Sequence, residues 1–206
     1  MSDRPSAVAG QLARRSMVDR ERVAADEVRR LLDAGLEVLA TSPAARVGDI
    51  VRVSGLSNSA FYRYFASKDE LIAAILRDGS ERLTAYLEHQ MAKVSEPVEQ
   101  VEAWITGVLD QARNERLAAP TRALLVQSRR LGVGGADGTM AGAADVLSAP
   151  LLAPLAAMGR PDPRRDAVLV AEGVVALLQR ELEAEGPGQD GTVEHARAFY
   201  RAALST

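Results

Sequence analysis

The chain has 206 residues, 47% of them apolar and 26% charged, with a formal net charge of −3 and no cysteine. This excludes a disordered chain, a disulfide scaffold, a thiolate metal site and a cysteine nucleophile, and predicts one or two packed domains. The longest apolar run, Val146 to Met158, is too short for a bilayer and holds Pro150 and Pro154, and MSDRPSAVAGQ at the start carries no apolar leader, so no membrane partner and a cytoplasmic location are expected.

Charge is unevenly spread. Residues 1–68 hold 11 Lys and Arg against 8 Asp and Glu, whereas residues 69–206 hold 14 against 20. A mildly basic front on an acidic body is compatible with polyanion binding through the front alone. Of eight aromatic residues, four are Phe61, Tyr62, Tyr64 and Phe65. Phe61 and Phe65 stand four apart on a helix and are expected in a small core; Tyr62 and Tyr64 point elsewhere, where a phenol can hydrogen-bond phosphate or lie against a base.

Helical periodicity is nearly continuous from about residue 23, and no stretch alternates as a strand does, so the predicted fold is all-α with about nine helices. The first helix, roughly 23–40, carries Val28, Leu31, Leu32, Gly35 and Leu39 on one stripe and stops at Ser42-Pro43. A short helix at about 47–53, a Ser54-Gly55-Leu56-Ser57 corner and a second short helix at about 58–64 follow, with Ser57 as the cap. Ser67 and Glu70 form a capping-box pattern that opens a long helix through Val94. Further helices are predicted at about 97–116, 120–131, 139–158 with kinks at Pro150 and Pro154, 164–185 and 192–204, with a glycine-rich loop over 132–138.

Two short helices about a glycine corner, followed at once by a capped helix with a lysine in its first turn, have the layout of a helix-turn-helix. The second helix then offers its polar side to a major groove: Asn58 to adenine, Arg63 to guanine, Ser59 to either, the Ala60 methyl to thymine, with Tyr62 a turn later. Lys68 sits where a cation and the free amides of a helix N-terminus favour the same phosphate. Arg14, Arg15, Arg20 and Arg22 before the first helix either reach phosphates or belong to a solvated tail, the reading favoured because Asp19 and Glu21 interrupt them.

The run Gly55-Leu56-Ser57-Asn58-Ser59-Ala60-Phe61-Tyr62-Arg63-Tyr64-Phe65-Ala66-Ser67-Lys68-Asp69-Glu70-Leu71 resembles the signature of the tetracycline-repressor (TetR-like) family, and Leu31 to Leu39 resembles that family's first helix. The likeness covers about residues 23–76. It implies a flexible arm over 1–22, a helix-turn-helix domain over 23–68, and a helical effector-binding and dimerisation domain over 69–206. It further implies a repressor released from a pseudo-palindromic double-stranded DNA operator by a small molecule, working as a homodimer whose last two helices form a four-helix bundle. Carried over by position, recognition contacts fall on Asn58, Ser59, Ala60, Tyr62 and Arg63, and backbone contacts on Tyr62, Tyr64 and Lys68. Tyr64 stands where His is commonest, Val51 and Ser54 where Ala is common. Arg46 adds a cation where the family usually starts its second helix on threonine.

The penultimate helix is apolar on more than one face. Val168, Ala171, Val175, Leu178 and Leu182 form one stripe, and Leu169, Gly173, Ala176 and Leu177 lie beside it. A second apolar face predicts burial against another subunit, and the dimer residues expected are Val168, Val175, Leu178, Leu182, Phe199 and Tyr200. Ligand-lining candidates are Tyr86, Trp104, Gln127, Met140, Met158 and Glu172. Glu172, inside an apolar run, needs a partner such as Arg122, Arg129 or Arg130, or a cationic ligand. His89 and His195 lack metal-ligand spacing, and the glycines at 132–135 lack the strand and lysine of a phosphate loop. Neither cofactor nor metal is therefore expected, nor an enzyme. The alternative to a DNA reader is an all-α small-molecule or lipid carrier without specific DNA binding.

Overall fold

The structure, a computed structural model, describes residues 7–42, 44–130, 146–184 and 191–204. Its helices are α1 (Ala7–Thr41), α2 (Val47–Ser54), α3 (Asn58–Tyr64), α4 (Lys68–Met91), α5 (Pro97–Arg113) and α6 (Glu115–Arg130). After a 3-10 turn over Ala149–Leu151 come α7 (Leu152–Ala157), α8 (Pro163–Glu183) and α9 (Thr192–Leu204). Among the described residues there is no strand, and no helix is long and apolar enough to cross a membrane. The glycine-rich 132–138 segment, Met140, the first part of the predicted 139–158 helix and the break near Gly186 lie outside the described residues.

Two boundaries differ from those read in the sequence. α1 begins at Ala7, so residues 7–22, expected as a flexible arm, are helical. Leu, Arg, Met, Glu and Gln, which populate that stretch, favour helix even without a buried stripe to reveal it. Likewise α6 starts at Glu115 and runs through Pro120, where the sequence suggested a start at the proline. The turn is set by Asn114, whose carbonyl accepts from the amides of both Leu117 and Ala118 at 2.8 Å.

The helices close two hydrophobic cores. The front core joins Leu31, Val38 and Leu39 of α1 to Ile50 of α2, Phe61 and Phe65 around α3, and Leu71, Ile72 and Ile75 of α4. The body core is built around α5, which packs against α4 and α6 to α9 and contributes Val101, Trp104, Ile105, Val108 and Leu109. α4 serves both, since its far end supplies Leu87 and Met91 to the body. Between the two sets lie Gly79 and Ser80, whose hydroxyl donates back to the Leu76 carbonyl at 3.0 Å. α6 bridges the halves a second time by packing on α1, α5 and α8.

Candidate nucleic-acid interface

The corner between α2 and α3 is built as the residues demand. Gly55 holds φ +66, a left-handed conformation that a Cβ would strain, and ends α2. Arg30 of α1 donates from both Nε (3.1 Å) and Nη2 (2.7 Å) to the Ser54 carbonyl, satisfying an acceptor that the helix end leaves open. Ser54, buried where alanine is common, uses its hydroxyl within the corner, donating to the Val51 carbonyl (3.0 Å) and accepting from the Leu56 amide (3.3 Å). Ser57 caps α3 by accepting from the Ala60 amide at 3.1 Å, and Ser67 caps α4 by accepting from Glu70 at the same distance. Glu70 reaches back to the Ala66 amide at 2.6 Å, which completes the second cap.

α3 therefore has one fixed inner face, Ala60, Phe61 and Tyr64, with Phe65 just beyond, and one outer face. The Phe61 and Phe65 rings lie 5.8 Å apart in the front core. Asn58, Ser59 and Arg63 are exposed, and Tyr62 is 58% exposed with its ring edge-on to Phe61. Their donors and acceptors are arranged to meet a polar surface, and Asn58 and Ser59 occupy the first turn, where a helix end enters a groove. The expected Ala60 contact needs correction: that side chain is only 5% exposed and packs inward, because the capped first turn places it beside Phe61.

Three residues of the expected interface, Arg63 among them, are engaged inside the protomer. Tyr64 Oη donates to Glu27 Oε2 of α1 at 2.7 Å, and Arg63 Nη2 lies 3.1 Å from the same oxygen. The Arg63 guanidinium also stacks 5.1 Å from the centroid of the Tyr64 ring. The hydrogen bond to the carboxylate raises the Tyr64 phenol above its usual pKa, with burial adding to the effect. Lys68 donates from Nζ to the Ala45 carbonyl at 3.1 Å, tying α4 to the loop before α2. Arg46 precedes α2 and is exposed; its own amide donates to Asp49 Oδ2 at 3.0 Å, which satisfies the N-cap amide but not the first-turn amides that a threonine hydroxyl would cap. Glu27, Arg30 and Asp49 were not singled out in the sequence, where each reads as an ordinary surface charge.

The body residues divide differently from the sequence reading. Trp104 is fully buried and donates its indole N–H to the Leu147 carbonyl at 3.0 Å; Gln127 is buried on α6 and Met158 half-buried beside the body core. Tyr86 is 41% exposed and packs over α5 at Gly107. Glu172 is corrected outright: it is exposed on α8, while Arg122, proposed as its partner, donates to the Leu182 carbonyl at 2.7 Å. Among the described residues the buried carboxylate is Glu102, which accepts from Arg197 at 2.7 Å and from Arg201, both on α9. Those two guanidiniums hold its carboxyl below the usual range despite the opposing cost of burial. Its signal was present, because Glu102 falls on the same stripe as Val98, Val101, Ile105 and Val108.

On α8 the inward stripe is Ala167, Val170, Ala171, Val174, Leu178 and Leu182. Leu178 and Leu182 thus belong to the protomer's own core, not to an outer face, and Val168, Val175 and Tyr200 are half-buried at its edge. The large apolar side chains left outside are Leu169 (60% exposed) on α8, with Ala176 on the same second stripe, and Phe199 (60% exposed) on α9. Among the described residues, no group of His, Cys, Asp and Glu is arranged to hold a metal ion.

Residues 31–75, which span α2 and α3 and parts of α1 and α4, match the family described as "Bacterial regulatory proteins, tetR family". A helix-turn-helix transcriptional regulator of Mycobacterium tuberculosis, Rv1255c, is 31% identical over 182 residues, covering 86% of this chain and 82% of the relative. The repressor LfrR of Mycolicibacterium smegmatis is 35% identical over 60 residues, 29% of this chain and 32% of its own. A TetR-family regulator from Streptomyces coelicolor superposes with a TM-score of 0.68 at 19% identity, covering 88% of this chain and 97% of that one. With its exposed first turn of α3 mounted on a glycine corner, the chain belongs to the tetR family of DNA-binding bacterial transcription regulators.

Proposed function

We propose that this regulator is a cytoplasmic, ligand-responsive repressor that holds a pseudo-palindromic operator as a homodimer and leaves it when a small molecule binds the body. The observation that carries the reading is the outward display of Asn58, Ser59 and Tyr62 on a short helix whose base is locked into a core. In this reading Asn58 and Ser59 read base edges, and Tyr62 and Arg46 hold phosphates, which set register without carrying sequence information. The exposed apolar residues Leu169, Ala176 and Phe199 support a second copy, and a homodimer reading two half-sites is expected to hold its α3 helices about one DNA turn, roughly 34–36 Å, apart or a modest excess. The repressor name of LfrR supports the sign of regulation. Two paths support the coupling of an effector to the reader: α4, which is common to both cores, and α6, which packs on α1.

The test is fluorescence anisotropy with labelled duplex from upstream of the protein's own coding region, titrated with salt and with competitor DNA. Competition-resistant binding that weakens steeply with salt is expected. Asn58→Ala should lose about 1–3 kcal/mol of discrimination while leaving random-sequence binding intact. Equal weakening on every sequence would remove Asn58 as a base reader, and duplex binding no stronger on the upstream region than on random DNA would end the repressor reading.

A further inference from the structure

A groove opens between the N-terminal part of α1 and the end of α3, lined among others by Arg15, Arg20, Glu27, Arg63 and Tyr64. Glu27 is the feature that the reading of the reader leaves unused. One of its oxygens takes both the Tyr64 hydroxyl and the Arg63 guanidinium, at 2.7 and 3.1 Å. The side chain of Glu27 is 20% exposed and that of Arg63 58% exposed. A carboxylate oxygen that gathers a guanidinium and a phenol offers them what a backbone phosphate oxygen offers, an anionic acceptor of charge-assisted hydrogen bonds.

We infer that Glu27 is an affinity-setting residue of the reader: an internal substitute for phosphate that withholds Arg63 from loosely bound DNA and yields it, at a cost, to a duplex seated against Asn58 and Ser59. This rests on the DNA-reading role proposed above. Tyr64 is half-buried and stays on α1, whereas Arg63 is exposed enough to turn outward, so the competition concerns one guanidinium. A random duplex, held by phosphate contacts alone, lacks the base contacts that would offset breaking the Arg63 pair. An operator supplies them. Removing the carboxylate therefore strengthens both: operator binding by the full worth of the pair, which it no longer has to break, and random binding by the smaller worth of one new phosphate contact.

The experiment measures binding of the full chain to a mixed-sequence duplex and to the upstream duplex across a salt series, for wild type, Glu27→Gln, Arg63→Ala and the double variant. Glu27→Gln should bind the mixed-sequence duplex about 3- to 10-fold more tightly, with a salt slope steeper by about one phosphate contact, while the upstream duplex gains at least as much without that change in slope. In the Arg63→Ala background that gain should vanish. A gain that persists without Arg63 makes Glu27 a mere neighbouring charge and overturns the inference. So does unchanged binding, or a smaller penalty for Arg63→Ala in the Glu27→Gln background, since Glu27 would then be orienting Arg63 for DNA. Helical circular dichroism checks folding. Glu27→Asp, which draws the carboxylate back one methylene, should move binding in the same direction by a smaller factor, and supplies the test if Glu27→Gln fails to fold. A wild-type chain that binds neither duplex defeats the DNA-reading role itself, whereas wild-type binding untouched by these changes defeats only the part assigned to Glu27.

Discussion

The front and the body of this molecule solve different packing problems. The front core is finished within the protomer: α1, α2 and α4 enclose Phe61 and Phe65, and what remains outside on α3 is mostly polar. The body core encloses more side chains yet leaves Leu169 and Phe199, each 60% exposed, on adjoining helices. A surface that must present hydrogen-bonding groups in fixed positions needs a rigid, self-contained base. A surface that presents apolar area is complete only against another surface.

The largest expected effect comes from breaking the front alone. Phe61→Ala removes a fully buried ring and should cost about 3–5 kcal/mol, abolishing duplex binding. Trp104, the chain's one tryptophan, reports on the body and should keep its native emission in that variant. If the two signals are lost together, the cores are one unit and the contrast between them fails. Next is the outer side of the body. A methyl at Gly173 would overlap the Tyr200 hydroxyl, the far end of a half-buried side chain, so Gly173→Ala should displace that ring at little cost in stability and reduce self-association in sedimentation velocity. Unchanged association would place the subunit contact elsewhere.

A smaller effect sharpens the view of what holds α9 down. Glu102→Gln keeps the shape but removes the charge that Arg197 and Arg201 share, at a cost of about 1–2 kcal/mol near neutral pH. Because the folded carboxyl is held below its ordinary value of 4.5, its contribution is present above that value and is lost as pH falls through the lower, folded one. Thermal unfolding at a series of pH values should show wild type and Glu102→Gln converging on the acid side. Parallel curves would mean that the two arginines do not stabilise the ionised form.

What was legible in the sequence is what is local. The Gly55 corner, the Ser57 cap and the Ser67 and Glu70 pairing are each settled within a few residues, and all appear where the pattern put them. The engagement of Tyr64 with Glu27 spans 37 residues, and that of Lys68 with Ala45 spans 23, so no window of the sequence contained both partners. Periodicity identified α8 as apolar on two sides without fixing its rotation. A turn of about one position is enough to send Leu178 and Leu182 inward and Glu172 outward, exchanging the core stripe for the outer one. The same uncertainty hid Glu102, a carboxylate on an inward stripe, behind Glu172, a carboxylate beside one.

Helix α4 is one rod shared by two packings, and its stiffness is uneven along its length. Midway lie Gly79, the poorest helix former apart from proline, and Ser80, whose hydroxyl competes for a main-chain acceptor one turn back. Any curvature that α4 takes up between its two packings therefore costs least at this glycine and serine, within a continuous helix.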